Sequence, residues 1–259
     1  MKLDTTKMNK YLNSKKYDFR LFNMAYTDNE RKTINDFVLD KTKYYEHFGD
    51  FESLKSLDNI KSYLSQTGTN SPSSISKIEK IILNIIKKVL KAYKLNHFWI
   101  SMRATLPNHD FDIPRWHKDG NYFSNDPTSL NNAKFATVLK GPGTLLIKST
   151  KQVNAIRDKI LKKEQKDFVT NQHKYVTRDE QIKFSIELSE KYRSIYAQKL
   201  AKQKIVQVKN SQGVIFYNGD PFDNSALHSE PKIDQPRLFI SILPSTEINI
   251  KTLQQRWTK

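Results

Sequence analysis

The sequence predicts a mainly β fold with α-helical additions, in which the sheet-forming region is divided by a helical insert. Segments rich in β-branched and aromatic residues occur in two groups, one before residue 150 and one after residue 204. Residues 1–96 are polar with apolar residues at helical spacing, and residues 151–204 are highly charged. We therefore expect a helical N-terminal region over 1–96 that packs on a core over 97–259, with the helical insert at 151–204.

The composition is that of a folded chain with a large positive charge. The 259 residues include 14 Phe, 12 Tyr and 3 Trp, enough for a core although hydrophobic residues make up only 37%. Lys and Arg outnumber Asp and Glu by 44 to 27, a formal charge of +17. This charge indicates either attraction to an anionic partner such as nucleic acid or a compositional bias towards Lys, Asn and Ile.

Cysteine and membrane-spanning segments are both absent from the sequence. Without cysteine, a metal site in this chain has to use histidine and carboxylate ligands. The first residues lack the apolar run of a secretory signal, and no apolar stretch is long enough to span a bilayer. We expect a soluble intracellular protein, cytoplasmic by default.

Apolar spacing predicts three helices in the N-terminal region. The first covers Asn29 to Leu39 and the second Glu52 to Leu64. After a loop rich in Ser, Thr and Gly, apolar residues between Ile75 and Tyr93 line one face of a third helix, and Ser76 and Glu79 have the spacing of a capping box. We expect this third helix to pack on the outside of a sheet.

The strands of the core are predicted from alternating and β-rich segments. Six segments have this character: residues 98–107, 135–140, 144–148, 204–209, 213–218 and 237–244. The Gly141-Pro142-Gly143 sequence predicts a tight turn between the second and third of them. The charged insert that follows the third is predicted to be either an external prop or a lid over a site.

His117 and Asp119 are the first residues that indicate chemistry. They are two positions apart, and side chains at this spacing on an extended backbone share one face and reach the same point. A third ligand from elsewhere would complete the 2-His-1-carboxylate arrangement, which holds Fe(II) with open coordination positions. The pair alone is a weak signal, because about 0.4 such pairs occur by chance in a chain of this size.

His228 and Arg237 strengthen the signal. His228 lies between two predicted strands, and Arg237 opens the second of them. The turn-rich connection SEPKIDQP predicts a hairpin that places the two residues on neighbouring strands. Arg237 would then lie within one side chain of the metal and could bind a carboxylate through its bidentate fork.

The chain resembles the Fe(II)/2-oxoglutarate-dependent dioxygenases. Four residues match the signature of that family in order and in local spacing: His117, Asp119, His228 and Arg237. The resemblance covers about residues 97–148 and 205–245 and leaves out the N-terminal helices and the insert. It implies that the core is a double-stranded β-helix, which is a jelly-roll of the cupin-like type.

The resemblance also implies a cofactor, a co-substrate and an activity. His117, Asp119 and His228 would hold Fe(II) as catalytic metal ligands, and Arg237 would bind the far carboxylate of 2-oxoglutarate. With O₂, this co-substrate would be converted to succinate and CO₂ while an organic substrate is hydroxylated or oxidatively demethylated. The primary substrate, whether a small molecule, a protein or a nucleic acid, and the oligomeric state are not predicted.

Further site residues are predicted on the neighbouring strands and loops. The family often has Arg-x-Ser where this chain has Phe239, so another hydroxyl is expected to assist Arg237 in co-substrate binding. The candidates for this role are Thr105, Thr137, Tyr217 and Ser241. Three more residues are predicted to contact the substrate: Arg103, Trp116 and Tyr122. For the aromatic ones, a place in the core is the more frequent outcome for residues of this type.

Two other functions are consistent with the sequence. The charge of +17 also suits a basic nucleic-acid-binding module on the same fold with an idle metal site. Steeply salt-dependent nucleic-acid binding that survives the loss of His117 would favour this alternative. An Fe(II) enzyme on a cupin-like barrel that does not use 2-oxoglutarate is the second, and such an enzyme would have no need of Arg237.

Overall fold

The computed structural model describes residues 1–14, 19–56, 58–120, 122–123, 132–219 and 225–257. It contains a six-stranded and a three-stranded sheet, and every pair of neighbouring strands within them is antiparallel. Helix makes up 47% of the structure and strand 25%. The chain is therefore a large antiparallel sheet with helices rather than the mainly β fold predicted, because the N-terminal region and the insert contribute long helices.

The strands fall into two groups along the chain, one before and one after the helical insert. The helices are α1 (Thr5–Ser14), α2 (Asp28–Asp36), α3 (Phe51–Ser56), α4 (Asn59–Ser65), α5 (Pro72–Tyr93), α6 (Lys151–Asn171), α7 (Arg178–Leu200) and α8 (Glu247–Trp257). The strands are β1 (Phe19–Asn23), β2 (Lys43–Asp50), β3 (His97–Thr105), β4 (Ala133–Lys140), β5 (Leu145–Ile147), β6 (Ile205–Gln207), β7 (Gln212–Tyr217), β8 (Leu227–Ser229) and β9 (Arg237–Ser245).

The N-terminal helices correct two details of the sequence prediction. The helix predicted over Glu52 to Leu64 is divided into α3 and α4, and Asp58 between them has a left-handed backbone with φ of 47°. The capping box predicted at Ser76 and Glu79 is wrong. Helix α5 already starts at Pro72, and the Ser71 side chain caps it by accepting a hydrogen bond from the next turn.

The large sheet has the strand order β1-β7-β4-β9-β3-β2. Its two edge strands, β1 and β2, come from the N-terminal region, which is therefore not only helical. Neither strand was predicted from the sequence, because both are partly exposed and polar. The division of the chain at residue 96 stays a prediction.

The small sheet has the order β6-β5-β8. This order shows that two of the predicted strand connections are wrong. The Gly141–Gly143 turn does not join partners in one sheet, since β4 lies in the large sheet and β5 in the small one. The predicted hairpin between His228 and Arg237 is also wrong, because β8 and β9 lie in different sheets. Both connections cross from one sheet to the other, which brings the chemistry-bearing residues to the space between them.

Apolar side chains bind these sheets and helices into four layers. The N-terminal helices share one cluster with the outer face of the large sheet, where Phe98, Phe135 and Ile240 are fully buried. A second cluster fills the space between the sheets and includes Leu146, Phe216 and Phe239. A third joins the outer face of the small sheet to the insert, through residues that include Ile147, Leu227, Leu188 and Tyr192. The order is N-terminal helices, large sheet, small sheet, insert.

The insert predicted over 151–204 is the helical pair α6 and α7. The Tyr192 hydroxyl donates to Asp167 at 2.6 Å and links the two helices. Arg193 donates to the backbone carbonyls of Asp110 and Ile113, in the segment that leads to His117. These contacts join the insert to the core, and residues of both insert helices line a cavity with Trp116 and His117, so the external prop and the lid both stay predictions. None of the helices in the described part of the chain is both long enough and apolar enough to cross a bilayer.

We predict that Gly141→Ala destabilises the protein. Gly141 has φ of +86°, and an added Cβ would lie 2.6 Å from the Pro236 carbonyl oxygen. The free energy of unfolding should fall by about 1–3 kcal/mol. Gly120→Ala is the control, since a Cβ there meets no atom within 4 Å, and it should change stability by less than about 1 kcal/mol. Urea unfolding of the two variants measures the difference, and equal stabilities would contradict the prediction.

Candidate metal centre

A two-residue backbone pairing holds the two histidines side by side. His117 and His228 form an antiparallel bridge in which each backbone N–H donates to the carbonyl of the other at 2.9 Å. The segment around His117 thus extends the small sheet beyond β8. The two imidazole rings lie 4.3 Å apart, centroid to centroid. Because His228 also contacts the Phe216 ring at 4.9 Å, both imidazoles lie at the space between the sheets.

The orientation of each imidazole is fixed by a backbone carbonyl. His117 Nδ1 lies 2.8 Å from the Arg115 oxygen, and His228 Nδ1 lies 3.1 Å from the Ala226 oxygen. A carbonyl only accepts, so each Nδ1 carries the proton and donates. In the neutral form of each ring, Nε2 is then left with a free lone pair, which is the form that binds a metal.

Asp119 completes a group of three ligand atoms. Its Oδ1 lies 3.8 Å from His117 Nε2 and 3.6 Å from His228 Nε2. Gly219 at the end of β7 donates its N–H to the Asp119 carbonyl at 2.9 Å and so fixes this part of the chain. Ligand atoms that share one ion at about 2.1 Å lie about 3.0–3.4 Å apart, so a small contraction would bring all three onto a metal.

Burial and charge favour the metal-binding state of these groups. Burial lowers the pKa of His228 to about 4, which keeps this imidazole neutral near pH 7. Burial acts to raise the pKa of Asp119, but the ammonium group of Lys134 and the interactions with the two imidazoles outweigh burial and hold the pKa below its usual range. A neutral imidazole and an ionised carboxylate are the forms that coordinate metals.

The donor set determines which metals fit. Among the described residues, His117, Asp119 and His228 are the one group of three or more such side chains whose ligand atoms lie close enough to share an ion. Two imidazole nitrogens and one carboxylate oxygen, with no cysteine in the chain, match the facial arrangement of non-haem Fe(II) sites. These are the three residues that the sequence predicts as metal ligands; the structure brings their ligand atoms together, and their binding of a metal stays a prediction.

Arg237 begins β9 and is 3% exposed. Its Nε donates to the Pro142 carbonyl at 2.9 Å, and its guanidinium carbon lies 4.6 Å from the centre of the Phe239 ring. Phe239, at the position where the dioxygenases that the sequence resembles often have Ser, thus forms a cation–π contact with Arg237. Burial lowers the pKa of Arg237 to about 10, which leaves the guanidinium charged near pH 7.

Glu230 links the region of Arg237 to the metal ligands. Its carboxylate lies 3.8 Å from Arg103 and 3.9 Å from Arg115, and Arg237 lines the same cavity of about 360 Å³. Burial acts to raise the pKa of Glu230, but the interactions with His117, Arg115 and His228 lower it. Three guanidinium groups around one carboxylate leave an excess of positive charge. Arg103, which was predicted to contact the substrate, therefore pairs with Glu230. Glu230 itself was not predicted as a site residue, because it lies in the sequence SEPKIDQP, which is typical of a turn.

The four hydroxyl candidates divide between the two faces of the large sheet. Thr105 lines the cavity with Arg237, and Ser241 lies on the same face of β9 as Arg237. Thr137 and Tyr217 do not reach the site. The Thr137 hydroxyl donates to the Gln212 carbonyl, and the Tyr217 hydroxyl donates to the carbonyl of Leu12 in α1. Both face the N-terminal helices, because the strand pleat turns them to the outer side.

The two aromatic candidates have different surroundings. Trp116 is 7% exposed and belongs to the cluster that joins the small sheet to the insert. It also lines a cavity of about 270 Å³ with His117, Lys118 and residues of α6 and α7. Tyr122 lies against Trp99, and its hydroxyl interacts with both Asp119 and Lys134. Tyr122 is therefore a neighbour of the candidate ligand Asp119.

Lys134 is a site residue that the sequence analysis did not identify. It lies on β4, and its Nζ is 2.8 Å from Asp119 Oδ2. The signal available in the sequence is a charged residue inside a segment otherwise made of apolar and small residues, AKFATVL. A lysine within such a strand needs a buried acidic partner.

Comparisons with known proteins give similar structures but no related sequences. No protein-family model and no curated protein matches the chain. A prolyl-4-hydroxylase from Pseudomonas putida has a TM-score of 0.39 and 8% identity, with 93% of this chain and 98% of that chain covered. A Trichoplax adhaerens prolyl hydroxylase in complex with a peptide of hypoxia inducible factor has a TM-score of 0.38 and 7% identity, covering 95% and 94%.

A third similar structure is the collagen prolyl hydroxylase of Paramecium Bursaria Chlorella virus-1. Its TM-score is 0.34 at 9% identity, with 87% of this chain and 88% of that chain covered. At 7–9% identity and TM-scores below 0.4, these similarities indicate no function for this chain.

We predict that His117→Ala abolishes specific binding of Fe(II). Loss of an outer partner of a metal ligand costs about 10–100-fold in affinity, so loss of a ligand itself should cost more than about 100-fold. His173→Ala is the matched control, because His173 is exposed in the insert. Anaerobic calorimetric titration with Fe(II) gives both affinities. Retention of wild-type affinity by His117→Ala would exclude this site.

Proposed function

We propose that this chain is an Fe(II)- and 2-oxoglutarate-dependent oxygenase that hydroxylates, or oxidatively demethylates, an organic substrate. The observation that carries the proposal is the convergence of two imidazole Nε2 atoms on one oxygen of a buried carboxylate. Both Nδ1 atoms are held by backbone carbonyls, so the free lone pairs face the carboxylate. An ordinary buried ion pair does not require two imidazoles oriented in this way.

Each residue then has a distinct role. His117 Nε2, Asp119 Oδ1 and His228 Nε2 would hold Fe(II) and leave open positions beside it. Arg237 would bind the far carboxylate of 2-oxoglutarate, with Thr105 or Ser241 as the assisting hydroxyl. When bound, the metal would catalyse the oxidation of 2-oxoglutarate by O₂ to succinate and CO₂, coupled to oxidation of a C–H bond of the substrate.

The charges around the co-substrate region support an anionic ligand. Arg103, Arg115 and Arg237 surround Glu230, and their combined charge exceeds that of its carboxylate. A buried guanidinium that is already fixed by Pro142 and Phe239 can bind a carboxylate with little further loss of side-chain freedom. An Fe(II) enzyme that does not use an oxo-acid would have no use for this anchor.

We further propose that the two sheets are the opposed walls of a double-stranded β-helix. The two crossings between sheets, at Gly141–Gly143 and between β8 and β9, support this assignment. The metal ligands and Arg237 then lie inside the jelly-roll, and the N-terminal helices and the insert cover its outer faces.

The proposed activity predicts succinate formation. Purified protein supplied with Fe(II), 2-oxoglutarate, ascorbate and O₂ should release succinate slowly without a primary substrate, as followed by proton NMR. The His117→Ala variant should release none. If the metal-loaded wild type neither binds 2-oxoglutarate nor forms succinate, the proposal fails.

We predict that Arg237→Ala weakens binding of 2-oxoglutarate without preventing binding of the metal. Loss of a buried charge partner costs about 2–5 kcal/mol, so the Kd should rise by about 30-fold or more. Arg237→Lys should be intermediate, since lysine keeps the charge but lacks the bidentate fork. Arg31→Ala, on the exposed side of α2, is the control. Calorimetry on the anaerobic metal-loaded protein gives the three constants, and an unchanged Kd for Arg237→Ala would remove Arg237 from the site.

The nucleic-acid-binding alternative is tested with the same proteins. If the charge of +17 serves binding of RNA or DNA, affinity should fall steeply with salt and be equal in wild type and His117→Ala. Binding of this kind, together with failure to bind 2-oxoglutarate, would replace the oxygenase proposal.

A further inference from the structure

Lys134 lies deep in the site and is held there from several sides. Its side chain is 12% exposed, and its Nζ donates to Asp119 Oδ2 at 2.8 Å. Three aromatic rings surround the ammonium group, with centroids 5.3–5.9 Å from Nζ: Trp99, Tyr122 and Phe216. An ammonium group so enclosed has little freedom to turn away from its carboxylate partner.

The two oxygens of Asp119 have different neighbours. Oδ1 lies 3.8 Å from His117 Nε2 and 3.6 Å from His228 Nε2. Oδ2 is the oxygen that accepts from Lys134. Oδ1 is therefore directed at the place where a metal would lie, and Oδ2 is bound by the ammonium group of Lys134.

This division has a consequence for coordination. A carboxylate can bind a metal through one oxygen or chelate it through both. In a site with octahedral preference, chelation by Asp119 would use a position that a chelating co-substrate and O₂ need. A strong charge-assisted hydrogen bond to Oδ2 opposes chelation, because the metal would have to displace the ammonium group from that oxygen.

We propose that Lys134 is a positioning residue that keeps Asp119 a one-oxygen ligand and thereby keeps a coordination position open for 2-oxoglutarate. The inference rests on the proposed function, and it adds a residue that acts through Asp119 without touching the metal. A lysine that only balanced charge in the core would leave the coordination of the metal unchanged when replaced by another side chain of similar shape.

The test uses Mn(II), which takes oxygen and nitrogen ligands. The number of water molecules bound to Mn(II) can be measured by proton relaxation. Lys134→Met keeps the length of the side chain and removes its donor. With three protein ligand atoms about three waters complete the octahedron, and with four about two do, so relaxivity per bound Mn(II) should fall by about one third in Lys134→Met. The Kd for 2-oxoglutarate should rise at least about 10-fold.

Two further variants separate positioning from fold. Lys140→Met is the matched control, because Lys140 lies on the same strand and donates to the carbonyls of Asn35 and Phe37, away from the metal ligands. It should keep wild-type relaxivity and 2-oxoglutarate affinity. Lys134→Arg retains a cationic donor and should restore most of both. A folded Lys134→Met protein with wild-type relaxivity and affinity would overturn the inference.

A measurement on the wild type covers the case in which Lys134→Met does not fold. Infrared spectra of Mn(II)-loaded protein with ¹³C-labelled aspartate report the separation of the two carboxylate stretches, which differs between one-oxygen and two-oxygen coordination. A separation typical of one-oxygen coordination supports the inference, and one typical of chelation overturns it. If the wild type binds neither Mn(II) nor 2-oxoglutarate, the proposed function itself fails, whereas binding of both with a chelating Asp119 refutes only the role of Lys134.

Discussion

The pairing of His117 with His228 through two backbone hydrogen bonds is the constraint on which the site depends. The loop that carries His117 and Asp119 has no long strand to fix it, so this bridge sets its position against the small sheet. It also sets the rings, since each imidazole is directed by a carbonyl two residues earlier in its own segment. Without the bridge, the two imidazoles would lose the backbone link that holds them side by side.

The layered architecture supplies the burial that this site needs. The large sheet is covered by the N-terminal helices and the small sheet by the insert, so both sheets can present an apolar face to each other. Charged groups in that space are stable only in combination. Lys134 pairs with Asp119, and Glu230 pairs with the arginines around it. Cationic side chains therefore lie beside both buried carboxylates, Asp119 and Glu230, at the centre of the fold.

The sequence predicted the parts of this structure that depend on local pattern. Strands β3, β7 and β9 are buried and rich in β-branched and aromatic residues. The His-x-Asp spacing with a distant His predicted three residues that the fold brings together, and their role as metal ligands stays a prediction. The edge strands β1 and β2 were missed because polar, half-exposed strands lack that pattern. The partners of the Gly141 turn and of β8 depend on contacts between sheets, which no local pattern encodes.

The same distinction applies to the side chains of the site. Thr137 and Tyr217 were proposed from their hydroxyl groups, but the pleat of each strand decides the face on which they lie. Lys134 and Glu230 were missed because the sequence around a charged residue in a strand or turn does not show which partner the fold will place beside it. Residue type indicated the chemistry, and long-range packing determined which residues take part.

The measurement that tests this account most directly is a crystal structure of the protein grown with Fe(II) in the absence of O₂, with the metal located by its anomalous scattering. We expect one peak at about 2.0–2.3 Å from His117 Nε2, Asp119 Oδ1 and His228 Nε2 together. A peak bound elsewhere, or three ligand atoms that remain apart with no metal between them, would contradict the account.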